Sequence, residues 1–122
     1  MTDGDYSGGC QCGAVRFHVS GKLGRPSICH CRMCQKAFGS FFGPLVTADH
    51  AHLEWTRGAP TLFRSSAKVR RGFCNKCGTP LTYHLKEGVE IAIGAFDQFS
   101  PLKGNQCPFQ HPVSPACRRR SC

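Results

Sequence analysis

No stretch of this sequence stays apolar for long. The longest nearly apolar segment, residues 37–46, is interrupted by Gly39, Ser40, Gly43 and Pro44, and it is too short to span a bilayer. Residues 1–9 carry Asp3 and Asp5 and lack the basic and hydrophobic regions of a secretory signal. A soluble cytoplasmic protein without a membrane segment is therefore expected. Internal repeats and long low-complexity tracts are also missing. So is any regular interleaving of aromatic and basic residues, or a helix suited to reading a groove, which argues against nucleic acid as the partner.

Acidic residues are scarce, with seven Asp and Glu against sixteen Lys and Arg, for a formal charge of +9. The distribution of that charge matters more than its size. All seven acids and twelve of the basic residues precede Lys103, leaving +5 there, and the last twenty residues supply the rest. Arg32, Lys36, Arg70, Arg71 and Lys76 stand beside cysteines, where thiolates outnumber the charge of a metal ion they bind. Local charge balance accounts for that part of the excess.

What the chain does have is glycine, proline and cysteine. Fourteen Gly and eight Pro punctuate short apolar runs in 122 residues, a pattern of strands and turns in a single all-β or β-rich domain. Val15, Phe17 and Val19 alternate with Arg16 and His18, as a half-buried strand does. Residues 53–56, 61–64 and 68–73 read as the strands of an antiparallel meander. Residues 81–85 and 89–93 pair around Lys86-Glu87-Gly88, and residues 34–38 suit a short helical turn. In residues 41–47, Gly43 and Pro44 point to an edge, a bulge or a bend rather than a central strand. The domain is expected over residues 1–97. Residues 98–122 read as a loosely packed, basic, atypical tail containing Cys107, Cys117 and Cys122 as free thiols.

Seven of the ten cysteines fall into clusters of two, three and two: Cys10 and Cys12; Cys29, Cys31 and Cys34; Cys74 and Cys77. In a reducing cytosol, spacings this short suit metal coordination better than a disulfide framework. A structural zinc takes four protein ligands, whereas a catalytic zinc keeps an open position. If each cluster stays whole, Cys10, Cys12, Cys74 and Cys77 close one site, and Cys29, Cys31 and Cys34 form a second that lacks a ligand. Two alternatives remain for the triplet: a closed Cys3His site using His30, His50 or His52, and a redox pair. His18 and His84 occupy strand positions and receive no role. Phe38, Phe41, Phe42, Phe63 and Phe73 read as core, or as the wall of a pocket beside the triplet.

Three motifs stand in order: Gly9-Cys10-Gln11-Cys12-Gly13-Ala14-Val15-Arg16-Phe17, Cys29-His30-Cys31-Arg32-Met33-Cys34-Gln35-Lys36, and Arg71-Gly72-Phe73-Cys74-Asn75-Lys76-Cys77-Gly78-Thr79-Pro80-Leu81. Together, from about Gly8 to Asp97, they resemble the glutathione-dependent formaldehyde-activating family, also called the CENP-V/GFA domain. The resemblance implies an Mss4-like fold of antiparallel sheets pinned by zinc, with the same division of ligands between two Zn2+ ions. It implies a carbon-sulfur lyase that joins glutathione and formaldehyde into S-hydroxymethylglutathione, or reverses that reaction. Cys29, Cys31 and Cys34 become the catalytic group, holding a zinc whose open position accepts the sulfur of a small thiol. Arg32 and Lys36 are placed to offset the charge of that three-thiolate ion. The rival class is a non-catalytic zinc-stabilised module that binds nucleic acid or a protein, favoured by Arg118-Arg119-Arg120 and the net charge.

Overall fold

The alternation around Phe17 builds the smaller of two sheets. The computed structural model describes residues 4–97, and in it strand β2 (Arg16–Gly21) lies between β1 (Gly4–Gly9) and β5 (Leu53–Arg57), antiparallel to both. Phe17 and Val19 are buried, and Phe17 stands opposite Trp55 with the rings edge to face at 5.8 Å. Strand β1 has the glycines and polar residues of a loop, yet it pairs with β2 over its whole length. A Cβ on Gly8 would lie 2.3 Å from the Ala95 carbonyl oxygen and 2.5 Å from the Phe17 ring. Glycine is needed there for close approach, and the same glycine lowers β-propensity.

The larger sheet has six strands in the order β3-β4-β9-β8-β7-β6, formed by β3 (Pro26–Cys29), β4 (Gly43–Ala48), β6 (Thr61–Arg64), β7 (Arg70–Phe73), β8 (Pro80–His84) and β9 (Val89–Ala92). The expected meander holds for β6 to β9, but β5 leaves it to pair with β2. The reading of residues 41–47 is also corrected, because β4 is an inner strand. Pro44 is tolerated because it pairs only with Ile28 of β3, and the ladder to β9 begins at Leu45. Phe17 and Val19 from the small sheet join Val46, Leu81, Val89 and Ile91 from the large one in a single buried core.

A seven-residue helix, α1 (Arg32–Phe38), follows β3. It is too short to be stable alone, and cysteine chemistry begins it: the Cys31 sulfur accepts a hydrogen bond from the Cys34 amide. Gly39, at φ 61°, ends it in the left-handed conformation that glycine adopts without strain. The helix lies close to β4, where a Cβ on Gly43 would come within 2.8 Å of the Phe38 ring and 3.1 Å of the Cys34 Cβ. Domain and tail readings for residues 98–122, with Cys107, Cys117, Cys122 and Arg118 to Arg120, lie outside the described residues.

Candidate metal centres

The β1–β2 connection carries Cys10 and Cys12, and the β7–β8 connection carries Cys74 and Cys77. The four Sγ atoms lie within 4.8 Å of one another. Cys10 and Cys12 sulfurs are 3.6 Å apart, and those of Cys12 and Cys74 are 3.8 Å apart. Sulfurs at the corners of a zinc tetrahedron with bonds of about 2.3 Å are separated by about 3.8 Å. Both distances are too long for a disulfide bond, so the donors fit a closed tetrathiolate site.

Backbone turns shape this site. The Cys10 amide donates to the Val15 carbonyl at 3.0 Å, and the Val15 amide donates to Cys10 Sγ at 3.2 Å. In the second turn the Gly78 amide donates to the Cys74 carbonyl at 2.8 Å, and the Lys76 amide donates to Cys74 Sγ at 3.4 Å. The two turns are joined directly, since the Gln11 amide donates to Thr79 Oγ1 at 3.0 Å. Hydrogen bonds from the Thr79 hydroxyl and amide pull the Cys77 thiol down to about 5. Cys12 is lowered by the Ala14 amide, but the neighbouring sulfurs outweigh it and push the thiol up to about 11. Crowded thiolates resist a common ionisation that a divalent cation relieves.

Cys29 at the end of β3, Cys31 at the start of α1 and Cys34 in its first turn also bring their sulfurs within 4.8 Å. Cys34 is buried and Cys31 is exposed. Burial pushes the Cys34 thiol up to about 11 against an opposing pull from Arg71, while the Cys34 amide holds Cys31 below the ordinary thiol value. Among the described residues, no His, Asp or Glu joins this group. His30 faces the Phe42 ring at 6.2 Å, and His50 stacks on His84 at 6.1 Å. The closed Cys3His alternative thus finds no fourth ligand here.

Sequence reasoning missed the specific role of Arg71. Only 9% exposed, it extends Nη2 to Cys34 Sγ at 3.3 Å and Nε to Ser65 Oγ at 3.0 Å, with its guanidinium 4.9 Å from the centre of the Tyr83 ring. Arg32, expected to offset the cluster's charge, donates instead to Gln35 Oε1 at 3.2 Å. The signal available in the sequence was position: Arg71 opens the motif that ends in Cys74 and Cys77, and it occupies an inward place on a strand. His18 pairs with Asp5 at 3.5 Å, and His84 Nε2 shares a 2.8 Å hydrogen bond with Thr82. Neither lies with the cysteines.

A pocket of about 190 Å³ adjoins the triplet, lined by Phe38, Phe63, Arg71, Pro80, Thr82 and Tyr83 among others. A larger opening of about 1010 Å³ includes His50, Arg64, Lys68, Arg70, His84 and Lys86 in its walls. No cysteine lines either space, but the smaller one has in its wall Arg71, which hydrogen bonds Cys34 Sγ. The phenylalanines divide accordingly: Phe38 packs partly on the core, while Phe41 and Phe63 are exposed.

Comparison with known proteins bears on the family and the fold. A family model described as glutathione-dependent formaldehyde-activating enzyme matches residues 5–111, a span that continues beyond Asp97. A crystal structure of a Rhodobacter sphaeroides protein aligns with a TM-score of 0.65 at 24% identity, covering 78% of this chain and 91% of that one. That likeness establishes the shared fold.

Proposed function

The chain belongs to the glutathione-dependent formaldehyde-activating enzyme family, and from that premise we propose that it is a zinc-dependent carbon-sulfur lyase acting on a small-thiol adduct. Glutathione with formaldehyde is the reference pair. The observation that carries the reading is the inequality of the two sulfur groups: four sulfurs that complete a zinc's ligand set, and three that leave it one short. Cys10, Cys12, Cys74 and Cys77 would hold the structural ion. Cys29, Cys31 and Cys34 would hold the other, which when bound lowers the pKa of a thiol and presents it as a nucleophile.

The residues around the triplet support that chemistry. Three thiolates on a divalent ion carry one net negative charge, and the buried Arg71 guanidinium at Cys34 offsets it without solvent screening. Arg71 is held in turn by Ser65 and by the face of Tyr83, so its fork reaches the sulfur already oriented. The Cys34 amide donates to Cys31 Sγ and fixes the first turn of α1 around the ligands. In the forward direction the C–S bond forms at the carbonyl carbon and the thiol proton ends on the carbonyl oxygen. The reverse step breaks that bond. None of the described helices is long and apolar enough to cross a membrane, and the thiol-rich ligand sets suit the reducing cytoplasm.

Metal analysis of Cys31→Ser tests the assignment. The expected result is one zinc per folded chain in place of two, with turnover of thiol plus aldehyde lost along with the missing ion. A Cys31→Ser protein that keeps two zincs and full turnover would overturn it. The second reading, a non-catalytic module for nucleic acid or a protein partner, draws on the opening bordered by Arg64, Lys68, Arg70 and Lys86. Its nucleic-acid form requires DNA affinity that falls steeply with added salt.

A further inference from the structure

We infer that the pocket beside Cys34 receives an apolar substituent on the substrate's carbon partner, so that thiol adducts of aromatic aldehydes are preferred over that of formaldehyde. This rests on the lyase reading above and names its substrate class.

No cysteine lines the pocket, but two of its wall residues, Arg71 and Phe38, connect it to the triplet. Arg71 lines the pocket and hydrogen bonds Cys34 Sγ. Phe38 lines it from α1, the helix that holds Cys34, and the Phe38 ring and Cys34 Cβ both crowd the same point above Gly43. A carbon group attached to a sulfur held at the triplet therefore has this space within reach. Formaldehyde carries only hydrogen on its carbon and would leave the pocket unfilled.

The walls specify the occupant. Phe63, Arg71 and Tyr83 are direct cross-strand partners on β6, β7 and β8, so their side chains form one row. Two of the polar groups in the wall are already engaged, Arg71 with Cys34, Ser65 and the Tyr83 ring, and the Thr82 hydroxyl with His84. Burial pushes the Tyr83 hydroxyl up, so its ring stays uncharged near neutrality. What remains for a ligand is Phe38, Phe63, Tyr83 and Pro80, which offer ring faces and aliphatic carbon with the Tyr83 hydroxyl as the polar exception. About 190 Å³ is available, and a dry protein cavity of about 150 Å³ is enough for benzene. Phe63 is 60% exposed on the edge strand β6, an apolar surface the core does not use.

The chemistry needs no further reactant. A thiol adds across an aromatic aldehyde, forming one C–S bond and moving the thiol proton to the oxygen, and the reverse restores both compounds without oxidation or reduction. The test measures kcat/KM for the glutathione adducts of benzaldehyde and formaldehyde by exchange spectroscopy on the zinc-loaded full chain, together with calorimetric binding of S-benzylglutathione and S-methylglutathione. Benzaldehyde is expected to lead by about tenfold or more, and S-benzylglutathione to bind more tightly than S-methylglutathione. Phe63→Ala, an exposed substitution compatible with folding, is expected to lower both ratios about tenfold. Equal handling of the two aldehydes, with ratios indifferent to Phe63, would overturn the inference and leave the lyase reading intact. Tighter binding of the benzyl compound that depends on Phe63, with neither adduct turned over, would sink the lyase reading and keep the pocket.

Discussion

The two cysteine groups differ in how far the chain travels to build them. Cys29, Cys31 and Cys34 lie within six residues and are drawn together by a strand end and one helical turn. Cys12 and Cys74 are 62 residues apart, and their sulfurs meet only when the small and large sheets have docked. A metal at the distant group therefore clamps tertiary structure, and its binding free energy becomes folding free energy. The local group needs little more than its own turn. Among its sulfurs, Cys34 is tied to the large sheet by the Arg71 guanidinium.

Removing one ligand from each group breaks the comparison most directly. Cys74→Ser is expected to abolish the cooperative melting transition, since loss of a structural zinc leaves small domains of this kind unfolded. Cys31→Ser is expected to keep that transition with a modestly lower Tm and to lose a single zinc. Circular-dichroism melts beside metal analysis decide it, and equal damage from both substitutions would make both sites structural. A smaller effect sharpens the link between sheet and triplet. Arg71→Met removes a buried cation from its partner, at a cost of about 3 kcal/mol. It is expected to weaken zinc retention at the triplet at least tenfold, with the four-cysteine site unchanged, as read by competition with a chromogenic chelator.

The smallest effect lies at the surface. Arg16, beside the four-cysteine turn, pairs with Asp97 and holds its carboxyl below the usual range. Because the folded value is depressed, the contribution is complete above the unfolded carboxylate range and is lost as pH falls through the folded value. Both side chains are partly exposed, so the pair stabilises by less than about 1 kcal/mol. The stability difference between the wild type and Asp97→Asn should shrink as pH is lowered. A difference that stays flat from pH 6 to pH 3 would remove the pair from the account.

Much of this was legible in the sequence because cysteine spacing survives without tertiary context. Two pairs and a triplet dictated the division of sulfurs, the alternation around Phe17 marked β2, and the turn at Lys86-Glu87-Gly88 marked the β8–β9 hairpin. What escaped detection depended on neighbours distant in sequence. Gly8 reads as a loop residue until the Phe17 ring and the Ala95 carbonyl lie against it. Pro44 reads as an edge residue until the ladder to β9 is seen to begin one position later. Strand β5 follows the local rhythm of a meander, but Trp55 packs on Phe17 and takes its strand into the other sheet. Arg71 looked like one cation among several beside the cysteines, because its inward place on β7 does not say which sulfur the fold will bring to it.

The separation of Cys12 from Cys74 also sets a schedule for the protein's birth. The ribosome delivers Cys34 some forty residues before Cys74, and at about 5–20 residues per second Cys12 waits about 3–12 seconds for its distant partner. The triplet can meet its zinc on the nascent chain, while the clamp must await the second turn. An ion at the triplet could thus bind before the second pair of the four-cysteine group has been made.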